Sequence, residues 1–154
     1  MVGFLSDGVV DLHRTMYSVI LPIDVDEQRW KRAVTAISNL PHANEEVEVT
    51  ILNVFEKFKA VDEGADIKSD EFYDPDEYPE SVQAAVEALE AHGIDVSTER
   101  RHGEPAEEII EATNEGEIDA VVMAARKRSK VGKVLFGSVA QSVILDAEVP
   151  VMVA

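Results

Sequence analysis

The feature that most constrains this chain is a repeated exchange of period. Short strand-like runs alternate with segments whose apolar residues recur every three or four positions. The strands read as Tyr17–Ile23, Val47–Val54, Ile94–Arg100, Ile118–Ala125 and Glu148–Ala154. Between them, Trp30, Ala33, Val34, Ile37 and Leu40 mark one helix, which Pro41 stops. A second helix opens at Pro79-Glu80-Ser81, buries Val82, Ala85, Val86 and Leu89, and closes at Gly93. A third follows the turn Gly103-Glu104-Pro105, with Ile109, Ile110 and Ala112 inward. The last begins near Gly137-Ser138, with Val139, Val143, Ile144 and Leu145 as its apolar side. Such alternation predicts a parallel sheet covered by helices on both faces, an α/β fold of three αβα layers. Ligands in such sheets bind outside the carboxyl ends of the strands, where strand order reverses. That rule directs attention to Asp24, to Asn53-Val54, to Arg100–Gly103 and to Ala125-Arg126-Lys127.

Two segments stand outside the alternation. Residues 1–15 carry no sustained period and read as a poorly ordered arm before a single domain over 16–154, with Met16 an alternative natural start. Residues 55–78 form an irregular acidic insertion rich in Asp, Glu, Gly and Pro, with Phe58, Phe72, Tyr73 and Tyr78 interspersed. A stretch of that length is either a docked functional loop or disordered chain.

Charge bounds the function. The chain has 154 residues, 31 of them acidic and 14 basic, for a formal net charge of −17. Acid spread along the whole length describes a surface kept hydrated in concentrated salt, which points to a halophilic source, with an acidic mesophilic protein as the alternative. It also argues against nucleic acid and anionic membranes as partners. No apolar run reaches the ~20 residues needed to span a bilayer. With no cysteine and no basic, apolar leader, the expected address is the cytoplasm.

One stretch opposes the general charge. Arg126–Lys133 gathers five of the 14 basic residues into eight positions, and Arg100, Arg101 and His102 are expected near it. The helix that follows starts at Gly137-Ser138, and free amides at a helix start favour an anion. A charged loop balanced by acidic neighbours remains the alternative. Catalysis is not expected. Of His13, His42, His92 and His102, one alone lies at a strand's carboxyl end, and no nucleophile elbow, metal-ligand pair or lysine-bearing phosphate loop is present. Trp30, at helical spacing, reads as core.

Several segments, in this order and spacing, resemble the universal stress protein family: Ile20–Asp24, Leu52-Asn53-Val54, Gly103–Ile110, Asp119–Met123, Phe136–Ala140 and Val149–Val153. The resemblance covers nearly everything after residue 15. It implies a five-stranded sheet of order 3-2-1-4-5, a module of the stress response and, commonly, a homodimer paired through the last strand, 149–153. Some members bind ATP through a Gly-x2-Gly-x9-Gly-Ser/Thr motif. Here Gly137-Ser138 is kept, while Ala124 and Lys127 stand where the upstream glycines would be. Lys127 either obstructs the site or compensates as a point charge for a phosphate.

By the same resemblance, Asp24 marks the nucleotide pocket, though a helix N-cap is the other use of an aspartate there. Pro22 and Val54 would line the base, or simply pack the core. Met123, Ala124, Arg126, Lys127, Gly137, Ser138 and Val139 complete the expected site, with Ser138 bonding a phosphate or capping its helix. The implied ligand is ATP or AMP, with Mg2+ accompanying ATP and at most incidental hydrolysis. The alternative is a dimeric module that binds no nucleotide and meets an unidentified protein partner. The acidity alone generates one prediction: the melting temperature rises as KCl goes from ~0.1 M towards molar, because screening relieves self-repulsion. A flat or falling curve would contradict it.

Overall fold

The computed structural model describes residues 16–23, 29–55, 78–124 and 137–154. Five strands, β1 (Tyr17–Pro22), β2 (Val47–Phe55), β3 (Asp95–His102), β4 (Ala120–Met123) and β5 (Val151–Val153), form one sheet of order 3-2-1-4-5. Every neighbouring pair is parallel. The helices are α1 (Arg29–Ser38), a single turn α2 (Ala43–Glu46), α3 (Glu80–Ala91), α4 (Pro105–Glu115) and α5 (Ser138–Asp146). None is long and apolar enough to cross a membrane.

The central strands are apolar on both faces because both faces are covered. Val19, Leu21, Ile23, Val49, Ile51 and Val122 point into one core with Ala33, Val34 and Ile37 of α1 and Val82, Ala85 and Leu89 of α3. Ile20, Leu52, Val121 and Met123 point the other way, onto Ile109 of α4 and Ala140 and Val143 of α5. Each fully buried Leu, Ile or Val contributes about 1.5–3 kcal/mol, so the sheet is held mainly by these two sandwiched layers. β1 and β4 are brought into pairing by a reciprocal contact. The Ser18 amide donates to Asp119 Oδ2, and the Asp119 amide donates to the Ser18 carbonyl, both at 2.8 Å.

β3 is the other edge of the sheet, and it is polar. Arg101 reaches Glu99 on its own strand (2.8 Å) and Glu108 (3.8 Å) and Glu115 on α4, tying the edge to the helix that covers it. The hydrogen bond that Arg101 donates to Glu115 raises the Arg101 pKa, and the same bond lowers that of the Glu115 carboxyl. On the opposite face, the Arg100 guanidinium lies 4.3 Å from the Tyr78 ring centroid and 5.1 Å from that of Phe55. His102 stacks on Phe55 at 5.7 Å between centroids. Burial lowers the Arg100 pKa.

Several local expectations change. β5 is shorter than 148–154, because Pro150 cannot join a ladder as a donor. β3 continues to His102, where Phe55 pairs with it in register. Ile110 is only half-buried, and the inward face of α4 uses Ala106 and Thr113 instead. In α5, Val143 and Ala140 are buried, Ile144 is exposed, and Leu145 is 80% exposed. The reason is geometric: Ile144 and Leu145 follow Val143 at 100° steps and turn off the sheet. The arm 1–15 and most of the insertion 55–78 lie outside the described residues.

Helix α3 ends as its sequence demands. Gly93 takes φ +76°, its amide bonds the Glu90 carbonyl (2.9 Å), and the Ile94 amide bonds that of Leu89 (3.1 Å). This is a Schellman termination, which needs the left-handed conformation at Gly93. A Cβ there would also stand 3.3 Å from Asn44 Cβ. Gly93→Ala is therefore expected to cost about 1–2 kcal/mol. Calorimetry should show a melting temperature lower by about 2–8 °C; an unchanged one would refute the assignment.

Candidate functional site

The strand order reverses between β1 and β4. The chain runs outward from β1 through β2 to β3 over the face carrying α1 and α3, then returns to β4 and β5 over the face carrying α4 and α5. A crevice must open at the carboxyl end of that junction, because the crossovers leave in opposite directions. Here the strands also part early. The β1–β4 ladder ends at Ile20 and Val121. The Ile23 amide bonds the Leu52 carbonyl of β2 (3.0 Å), so the donor position of residue 22 faces β4, and proline has no donor to offer.

The opening is a cleft of about 420 Å³, within the usual range for a small-molecule site. Its floor is Leu21, Pro22 and Ile23 of β1 with Leu52 and Val54 of β2. Met123 and Ala124 line the β4 side, and Pro105 and Ile109 come from α4. Gly137, Ser138, Val139 and Ala140 bring the start of α5, and Arg29, Trp30 and Ala33 bring the start of α1. Seven of the residues expected from sequence thus line one cleft: Pro22, Val54, Met123, Ala124, Gly137, Ser138 and Val139. Asp24, Arg126 and Lys127 lie outside the described residues.

The α5 start is the polar end of this cleft. Gly137 is the N-cap, in extended conformation and with no side-chain cap, and the first intrahelical bond runs from the Gln141 amide to the Gly137 carbonyl (3.0 Å). The amides of Ser138, Val139 and Ala140 consequently have no acceptor within the helix. Ser138 is the first helical residue and exposed, so it does not act as the N-cap. Among the described residues, no acidic residue occupies the first turn of α5 or of α1.

Charge is distributed unevenly around this opening. Acidic residues are 31 of 154 in the chain, yet none is among the described residues lining the cleft, where Arg29 is the charged group. Glu108, in the first turn of α4, is directed to Arg101 instead. The basic loop, residues 126–133, with which Arg100, Arg101 and His102 are expected to gather, lies outside the described residues. β3 and β4 are separated by β2 and β1, about 14 Å at the normal strand spacing. The three residues are engaged with β2, α4 and Tyr78, and none of them lines the cleft.

The fit of a nucleotide to these residues can be tested on their chemistry. An apolar floor suits a base, and uncapped amides beside a hydroxyl suit a phosphate. Sequence reading missed two parts of the site. Trp30 packs against the α1 core and is also half-buried in the cleft wall, a position that follows from its place in the first described turn after β1. Asn53, only 4% exposed, donates from Nδ2 to the Ile23 carbonyl (3.1 Å) and so secures the exit of β1 beside Asp24. Its Oδ1 is buried without a hydrogen bond.

The pattern of the universal stress protein family matches residues 16–154. The chain belongs to that family. A universal stress protein of Methanocaldococcus jannaschii is 33% identical over 78 residues, 51% of this chain and 46% of that protein. The chain spans about half the length of the curated relatives it matches. Among solved structures, a universal stress protein from Archaeoglobus fulgidus superposes with a TM-score of 0.67 at 24% identity, covering 89% of this chain and 97% of that one. A family protein from Arabidopsis thaliana, described with AMP bound, superposes with a TM-score of 0.59 at 16% identity, covering 89% and 90%. At these identities the likeness establishes the fold: this universal stress protein shares the five-stranded αβα architecture with order 3-2-1-4-5.

Proposed function

We propose that this universal stress protein binds an adenine nucleotide, AMP or ATP, in the β1–β4 cleft as part of a stress response. The observation that carries the reading is electrostatic. In a chain at −17, the described lining of the cleft has no carboxylate, and it carries Arg29 and the uncapped start of α5. The AMP described in the Arabidopsis relative supports the same class of ligand.

In this reading the amides of Ser138–Ala140 and the Ser138 hydroxyl receive a phosphate, as helix starts do. Pro22, Val54 and Met123 give the base its apolar surroundings. Asp24 serves the ribose side, Lys127 replaces the lost glycine as a charge for phosphate, and Mg2+ accompanies ATP. The protein acts as a binding module in the cytoplasm, with occupancy rather than turnover as its signal.

A second reading is favoured by the opposite end of the sheet. β5 is an edge strand, Met152 on it is exposed, and Ile144 and Leu145 of the neighbouring α5 are exposed as well. An apolar edge of this kind invites a strand partner. In this second reading two copies pair through β5, and the module meets another protein without a nucleotide.

Calorimetric titration with ATP and AMP in molar KCl, with Mg2+ for ATP, tests the first reading. Binding is expected, with Ser138→Ala weakening it by about 1 kcal/mol, roughly fivefold. Lys127→Ala should weaken it too. If neither nucleotide binds the wild type or the Ala124→Gly, Lys127→Gly variant, the first reading fails. Light scattering of the same samples decides the second: a dimer mass is expected, and a monomer unchanged by Val151→Asp would refute it.

A further inference from the structure

The cleft has two unlike walls. One is the start of α5, which packs with the Ile20, Val121 and Val143 core on one face of the sheet. The other is the start of α1, which packs with the Val19, Leu21 and Ile37 core on the opposite face. Trp30 belongs to this second wall. It is the chain's one tryptophan, half-buried, in contact with the α1 core and lining the cleft.

We propose that Trp30 is a base-recognising residue, which presents its indole to a flat purine base while the phosphate is held across the cleft at α5. This rests on the nucleotide reading above and goes beyond it by assigning the base end to a side chain of α1. The two ends of a nucleotide differ in chemistry as the two walls do. Unpaired amides and a helix dipole suit the anion. An indole offers a large, rigid π face, on which bases stack with little regard to their hydrogen-bonding edges.

The position of the indole favours this use. Core contacts hold its inner side, and the Lys31 ammonium stands 5.9 Å from the ring centroid, within cation–π reach. A ring held before the ligand arrives loses little freedom on binding. Stacking also makes a specific demand: the affinity lost on removing the indole should follow the aromaticity of residue 30 and be much the same with and without a phosphate.

The test uses the full chain in molar KCl, with adenosine and AMP as probes, read by calorimetry and by tryptophan fluorescence. In the wild type, saturation with AMP is expected to quench or shift the Trp30 emission. Trp30→Leu, which keeps an apolar group against the core, should weaken adenosine and AMP by at least tenfold and by a similar factor. Trp30→Phe should stay within about threefold of the wild type.

Equal AMP affinity in the wild type and Trp30→Leu would overturn the assignment while leaving the nucleotide reading intact. So would binding heat for AMP with an unmoved emission spectrum, a result that holds even if the leucine variant fails to fold. No binding of either probe to the wild type overturns the assignment of Trp30, and the ATP titration and the double glycine variant above then decide the nucleotide reading.

Discussion

The structure depends on the parting of β1 and β4. Up to Ile20 and Val121 the two strands are neighbours in a continuous sheet, started by the reciprocal bonds of Ser18 and Asp119. Beyond that point Pro22 withholds a donor, and the chain leaves the two strands towards opposite layers. Everything that lines the cleft follows from that separation. α1 and α5 reach the same opening from opposite faces because the crossovers reverse there, and β2 supplies the floor through Leu52 and Val54. Asn53 fastens the exit of β1 at Ile23 to β2, so the two strands of the floor are fixed together.

Electrostatics then separates this opening from the rest of the surface. The chain is acidic throughout, and its polar edge at β3 shows how a cation is treated elsewhere: Arg101 is held by three carboxylates. The described lining of the cleft differs, with a cation at α1, an uncapped start of α5 and no carboxylate, while Glu108 is directed to Arg101. A concave site lined by a cation and by helix-start amides attracts a ligand of opposite sign. Screening in concentrated salt acts least on a partly enclosed site, so the local contrast can survive conditions that quiet the surface charges.

Much of this was legible in the residues, and for identifiable reasons. Buried parallel strands must be apolar on both faces, so β1, β2 and β4 announce themselves as runs, and helix punctuation by Gly93 and Pro105 marks the crossovers. The strand order came from family resemblance, since periodicity alone does not order strands. Less legible was anything set by direction. Leu145 is as apolar as Val143, and only the 100° step decides that one is exposed and the other buried. Trp30 fits a core pattern and meets that expectation in part, yet the same side chain borders the cleft because α1 begins beside the parting strands. Arg100 and Arg101 are adjacent in sequence and serve opposite faces of the sheet, which a charge cluster read along the chain does not reveal.

The central claim is that the opening between β1 and β4 holds an anion at the start of α5. Hydrogen–deuterium exchange, with and without saturating AMP in molar KCl, tests it most directly. The amides of Ser138–Ala140 and those around Leu52–Val54 are expected to exchange more slowly with AMP bound, while β3 at the far edge keeps its rates. Protection confined to β3, or none at Ser138–Ala140 when AMP is bound, would contradict the account.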